Sequence, residues 1–248
     1  MRKHRIFFVA AAVAATVGLS GIVSASASVT GAQAGYGGQR LAGPAGPVTS
    51  ASPALASAAA EPGACSYSKV IPSDKYQGLP PSNARLAAKP FAASIVTTQG
   101  VITFEASTAA APCTTNSFRF LAEHGYYNQT HCHRLTLQGI FVLQCGDPTG
   151  TGSGGPGYQF NDENLTGATY PAGTVAMANA GSNTNGSQFF ICWKDTELPP
   201  LYTPFGKVTA GLNVLQKIAA AGDDQQNGPG DGYPNLYVGI LAVPTFTN

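Results

Sequence analysis

Met177-Ala178-Asn179-Ala180-Gly181-Ser182-Asn183-Thr184-Asn185-Gly186-Ser187-Gln188-Phe189-Phe190-Ile191 is the stretch on which the reading of this 248-residue chain turns. Its ends, within residues 174–178 and 188–193, are short apolar runs bounded by Gly and Asn, and they read as strands. Between them lie small residues and three asparagines. Such a segment presents backbone and amide groups at a surface where something docks, because these side chains favour turns over a packed core.

Working outward, residues 132–136 and 140–145 read as neighbouring strands. Here His133-Arg134-Leu135 and Ile140-Phe141-Val142-Leu143-Gln144 set a cation and an amide among apolar side chains. Burying an arginine without a partner or a purpose is costly, so Arg134 and Gln144 are candidate functional groups. Residues 94–98 and 101–105 are β-branched runs around Gln99-Gly100, and 205–208 and 236–243 are further short apolar segments. A helix fits from Pro112 to Gly125, with Phe118, Leu121 and Ala122 on one face. A second fits 212–221, with Val214, Leu215, Ile218 and Ala219 on one face and a stop at Gly222. Many short strands with two helices point to a mainly β domain whose sheet closes on itself and leaves no exposed edge. Residues 146–157 are too rich in glycine to be regular and read as a flexible loop.

With these residues in view, the chain resembles the cyclophilins. The 177–191 stretch matches that family's central signature at nearly every position. His133-Arg134, Phe141 with Gln144, Asp162-Glu163-Asn164 and Phe205-Gly206-Lys207-Val208 follow in the family's order, over about residues 90–243. The resemblance implies a closed eight-stranded antiparallel β-barrel capped by two α-helices, in agreement with the elements above, and peptidyl-prolyl cis/trans isomerase activity. It makes Arg134 the catalytic arginine and Gln144 and Gln188 its polar supports. Phe141, Val142 and Phe190 become the proline pocket, and Ala178, Asn179 and Ala180 the groups that hold the substrate backbone. His133 joins the substrate-binding set. Between Arg134 and Gln144 the chain is two residues longer than the family pattern, and Val142 stands where Met is common. The usual rim Trp falls at or near Leu198, and Tyr202 stands near the usual His.

The edges of the chain fix its compartment. Arg2, Lys3, His4 and Arg5, an apolar run from Ile6 to Leu19 and Ala25-Ser26-Ala27 form a secretory signal peptide over residues 1–27, which would act as an anchor if it were left uncleaved. Residues 28–64 are Ala, Gly, Ser and Pro with scarcely a large side chain, which is a disordered tether. The isomerase-like domain is then 65–248. Removing the leader leaves ten Lys and Arg against twelve Asp and Glu. A mature protein so near neutral, with no basic face, excludes a nucleic-acid partner. The expected partners are proline-containing polypeptides, met by a monomer free of the membrane and needing neither metal nor organic cofactor.

Other motifs fail on context. Gly150-Thr151-Gly152-Ser153-Gly154-Gly155 spells a dinucleotide fingerprint, but Pro156 and Gly157 follow it with no helix behind. His131-Cys132-His133 with Cys145 resembles a zinc set that lacks a fourth ligand. Five cysteines in an exported chain leave one unpaired, and their spacing does not choose the pairs. Cys132 and Cys145 lie on strands expected to run antiparallel through the wall of the site, and Cys113 opens the first helix. The expected bonds are therefore Cys132–Cys145 and Cys65–Cys113, with Cys192 a buried thiol. The competing function is a non-catalytic module that binds proline peptides as a chaperone or in adhesion.

Overall fold

The computed structural model describes residues 64–70, 73, 75–83 and 89–247. The leader at 1–27 and the tether up to residue 63 lie outside the described residues. The elements in chain order are β1 (Ser68–Lys69), β2 (Ala92–Thr97), β3 (Gly100–Ala106), α1 (Pro112–Glu123), β4 (Thr130–His131), β5 (Arg134–Thr136), β6 (Val142–Cys145), β7 (Tyr158–Gln159), β8 (Thr174–Met177), β9 (Phe189–Cys192), β10 (Pro204–Ala210), α2 (Leu212–Ala220), β11 (Asp231–Gly232), β12 (Gly239–Ala242) and β13 (Thr245–Phe246). The mainly β class and both helices were legible beforehand. The two-residue strands β1, β4, β7, β11 and β13 were not, because a pair of residues carries no periodicity.

The ladders run β11-β5-β6-β9-β8-β10-β3-β2-β12-β4, with β13 on β2, and every pairing is antiparallel. No ladder among the described residues joins β4 back to β11, so the sheet is an open half-barrel of eleven strands rather than the expected closed eight. The reason lies at Cys132-His133. The expected strand 132–136 is broken there, because the Cys132 N–H donates to the Val238 carbonyl whereas the next N–H, of His133, donates to Gln144. The chain thus changes partner strand within one residue, and Cys132 is bonded to Cys145 at that bend.

The core lies inside the curved sheet. Ala93 and Ile95 of β2 face Ile102 and Phe104 of β3, and Phe118, Leu121 and Ala122 of α1 pack into the same core. Leu215, Ile218 and Ala219 of α2 join them there. Gly211 begins α2 with φ of +90°, and a Cβ there would meet the Val101 carbonyl oxygen, so only glycine makes this entry. α1 has no capping side chain of its own. The Glu163 carboxylate reaches it from fifty residues away, accepting from the Cys113 and Thr114 N–H groups at 3.0 and 2.8 Å and from the Thr114 hydroxyl at 2.8 Å. A carboxylate there satisfies otherwise orphaned donors and opposes the positive end of the helix dipole.

Candidate active site

Strand register builds the site. Arg134 lies opposite Gln144, Gln144 opposite Phe190, and Phe190 opposite Ala176, across β5, β6, β9 and β8. The intervening residues Leu135, Leu143, Ile191 and Val175 point into the core. Since side chains alternate along a strand, the row from Arg134 to Ala176 faces away from that core, joined by Val142 and Cys192 one pair further along. There Val142, Tyr170, Ala176, Phe190 and Cys192 form a second apolar cluster, against which Ile140, Ala178, Leu198 and Tyr202 pack. The Phe190 and Tyr202 rings meet edge to face at 5.6 Å.

Beside this apolar floor runs a chain of polar contacts. The Arg134 guanidinium forms a two-pronged pair with Asp231, Nε donating at 2.9 Å and Nη2 at 2.6 Å, while Nη1 reaches the Gln144 Oε1 at 3.5 Å. Gln144 Nε2 donates to Gln188 Oε1 at 2.9 Å, which turns the Gln144 carbonyl toward the arginine. Gln188 Nε2 donates in turn to the carbonyls of Gly152 and Gly154, each at 2.9 Å. Hydrogen bonding to Asp231 raises the Arg134 pKa, so the guanidinium is a permanent cation, and the same bond holds the Asp231 carboxyl below its ordinary range. Along the opposite edge Asn179 is fixed by its amide donating to the Leu201 carbonyl at 2.8 Å. Its own backbone N–H and C=O have no partner among the described residues. A half-buried cation, an apolar floor and an extended backbone edge with open hydrogen-bonding groups can receive a peptide.

Residues 92–237 match the family described as cyclophilin type peptidyl-prolyl cis-trans isomerase/CLD. The chain belongs to this family. Its relatives include the probable peptidyl-prolyl cis-trans isomerase B of Mycobacterium tuberculosis, 49% identical over 164 residues, a match covering 60% of this chain and 53% of that protein. The like-named protein of Mycobacterium leprae is 44% identical over 180 residues, covering 66% and 60%. The chain thus spans little more than half the length of these relatives. A solved cyclophilin-type peptidyl-prolyl cis-trans isomerase from Cryptosporidium parvum aligns with TM-score 0.55 and 32% identity over 64% of this chain and 99% of its own. That protein has also been crystallised in the presence of the dipeptide Ala-Pro.

In this cyclophilin the structure gathers Arg134, Gln144, Val142, Phe190, Ala178, Asn179, Gln188, Leu198 and Tyr202 around one surface, but not every expected residue. Phe141 is turned aside: its ring meets Trp193 edge to face at 5.2 Å and lies under the Lys194 ammonium at 4.4 Å. Ile140 packs on the Val142–Phe190 cluster in its stead. Phe141 is held there by its N–H donating to the Thr196 hydroxyl at 3.1 Å, and the preceding Leu137 N–H donates to the Gly230 carbonyl at 2.8 Å. His133 is 5% exposed, so it stands behind the surface rather than on it. Burial lowers its pKa, against the opposing pull of Asp147. Ala180 is at the exposed rim, its N–H donating to the Thr184 hydroxyl.

The cysteines pair as expected, Cys65 with Cys113 and Cys132 with Cys145, at disulfide distance. Cys192 is a buried free thiol whose pKa burial pushes up to about 12. Cys132 in a bond with Cys145 ends the zinc reading of His131-Cys132-His133. The glycine-rich stretch is irregular, as expected, yet it is tied down: the buried Asp147 carboxylate accepts from the N–H groups of Thr149, Thr151, Gly152 and Gly154. Burial opposes that charge, but the bonds from Thr149, Gly154 and Gly152 outweigh it and keep the carboxyl below its usual range. Sequence reasoning missed Asp147, Glu163's capping role and Asp231. Only Arg134 signalled the last, as a cation in a strand that requires a counter-charge.

Proposed function

We propose that this protein is a peptidyl-prolyl cis/trans isomerase that turns X-Pro bonds in exported or cell-surface polypeptides. The observation that carries the reading is the Arg134–Asp231 pair. Two of the guanidinium nitrogens are committed to the carboxylate, leaving Nη1 as the donor on the side of Gln144 and Phe190. On this reading the proline ring rests on Val142, Phe190 and Tyr202, with Ile140 taking the wall that the family pattern gives to Phe141. Leu198 is the rim, and the substrate backbone runs along Asn179 between Ala178 and Ala180.

The chemistry needs no proton transfer. A planar amide resists rotation by about 18–20 kcal/mol, because the nitrogen lone pair is delocalised, and X-Pro exchange takes tens to hundreds of seconds. In the twisted transition state that lone pair becomes a hydrogen-bond acceptor. A donor fixed in position stabilises it more than either planar ground state. Reaching an ordinary turnover of about 10–1000 per second takes about 4–7 kcal/mol off the barrier. One or two charge-assisted bonds at about 1.5–3 kcal/mol each, made where the apolar floor excludes water, are of that size.

Two cysteine pairs at disulfide distance support an extracytoplasmic setting, as does the basic-then-apolar leader with its Ala-x-Ala site. Among the described residues no helix is long and apolar enough to cross a membrane. We also read the Cys132-His133 bend as the seam of the family's barrel, the residues 130–136 serving β12 on one side and β6 on the other. The test of function is magnetisation exchange in an Ala-Pro peptide measured by NMR with the purified protein. Accelerated exchange is expected. Shift changes that prove binding, without acceleration, would overturn the enzyme in favour of a non-catalytic proline-peptide binder.

A further inference from the structure

Residues 64–70, 73 and 75–83 precede the family-matched region, yet they are built into the wall beside the site. Cys65 is bonded to Cys113 in α1, and the Tyr67 hydroxyl donates to the Cys113 carbonyl at 2.8 Å while accepting from the Asn116 amide at 2.9 Å. β1 pairs with β7, and the Val70 N–H donates to the Gly157 carbonyl at 2.9 Å. The Ser73 hydroxyl donates to the Gly155 carbonyl at 2.9 Å, and the Lys75 ammonium donates to the carbonyls of Tyr126 and Asn128 at 2.6 and 3.0 Å. Gly157 has φ of +81°, and a Cβ there would stand 2.8 Å from Ser73 Cβ and 2.9 Å from Tyr76 Cδ2. Arm and loop therefore meet at a distance that only glycine permits.

At the end of β1, Val70 is left 37% exposed. It lines a groove of ≈ 540 Å³ whose other walls include Gln144, Gly155, Ala178, Asn179 and Gln188. Gln144, Gln188, Ala178 and Asn179 also belong to the polar chain or the backbone edge described above, so a peptide seated over Phe190 continues into this groove. We propose that the arm is a specificity element of the site: Val70 forms an apolar wall for a substrate side chain flanking the proline, and the Cys65–Cys113 bond with the β1–β7 pairing holds that wall in place. The inference rests on the isomerase reading only for its substrate, a proline-containing peptide. A β-branched side chain with exposed apolar surface rewards a substrate residue that covers it and disfavours a charged one.

The test uses the whole protein and a set of Ala-Pro peptides that carry Gly, Leu or Asp at each of the two positions on either side of the Ala-Pro pair, reading affinity by NMR titration and catalysed exchange in the same samples. At one of these positions the protein should favour Leu over Gly by about three- to tenfold, and Val70→Asp should erase that preference with an unchanged melt. Val70→Ala should reduce it in part. A Leu preference that Val70→Asp leaves intact, or no preference at any position, overturns the inference. Val70-dependent affinity without catalysed exchange would refute the isomerase reading alone, and catalysed exchange with Val70-independent preferences would refute the arm's role alone.

Discussion

Two rows of side chains cross the same four strands one residue out of step. Leu135, Leu143, Ile191 and Val175 form one, and Arg134, Gln144, Phe190 and Ala176 the other. They share backbone, ladders and twist, so what separates them is only the face on which they fall and the partners waiting there. The first row meets other apolar side chains and is at most 1% exposed. The second meets groups brought from far along the chain: Asp231 is 97 residues from Arg134, and Gln188 is 44 from Gln144. A row that packs is specified by volume and hydrophobicity. A row that gathers polar partners is specified by what lies opposite, which the pleat cannot supply.

The sharpest way to break this contrast is to exchange the penalties. Leu143→Ala should cost about 2–5 kcal/mol of stability, because a methylene-rich side chain with no exposure leaves a cavity behind. Turnover per folded molecule should stay within a few-fold. Denaturant melts beside exchange rates decide it, and a hundredfold loss of turnover with little change in stability would merge the two rows. Next in size are the covalent ties. Loop lengths of 48 and 13 residues put loss of Cys65–Cys113 at about 4 kcal/mol and of Cys132–Cys145 at about 3 kcal/mol on the chain-entropy account. Melts of the two double Cys→Ser variants should rank in that order, and the reverse would show that the bend at Cys132 contributes more than loop closure.

Asp231→Asn sharpens the functional side. Its carboxylate is partly exposed, so the pair adds only about 0–1 kcal/mol to stability. It orients the guanidinium, however, so kcat should fall roughly tenfold with KM little changed. An unchanged kcat would leave Asp231 as a surface ion-pair partner and nothing more.

The smallest effect concerns His133. Its folded pKa lies below the ordinary value near 6.5, so the unfolded chain binds the extra proton as pH falls below that value. Stability should therefore decline from pH 7 toward pH 5, and His133→Gln should flatten that decline. Melts across this range with no difference between the two proteins would contradict the assignment.

How much of this was legible beforehand follows from the same contrast. Arg134, Gln144, Gln188, Phe190 and the 177–191 loop stand in a motif whose order is local, and both helices show their apolar spacing. The segment between Arg134 and Gln144 was visible, but its conformation was not: whether Ile140 or Phe141 packs on the Val142–Phe190 cluster depends on Leu137 and Thr196 contacts that arise only on folding. Asp231 is one of three acidic residues in a short glycine-bearing stretch with Asp223 and Asp224, and no local signal selects it. Asp147 reads as one charge inside a flexible loop, whereas its buried carboxylate anchors that loop through the N–H groups of Thr149, Thr151, Gly152 and Gly154. The arm through Val70 precedes every family motif, and only the β1–β7 ladder reveals where it lies.

The proposed function requires Arg134 to act on the twisted amide rather than merely to tie β5 to β11. Arg134→Ala, examined by NMR exchange of an Ala-Pro peptide together with a thermal melt, addresses it directly. Turnover should fall about 10²–10³-fold, the loss of one or two charge-assisted hydrogen bonds, with peptide affinity and melting temperature close to those of the parent protein. Arg134→Lys should recover little, since a flexible point charge cannot both grip Asp231 and hold a donor toward Gln144. Near-normal exchange in a protein that melts at a lower temperature would contradict the account.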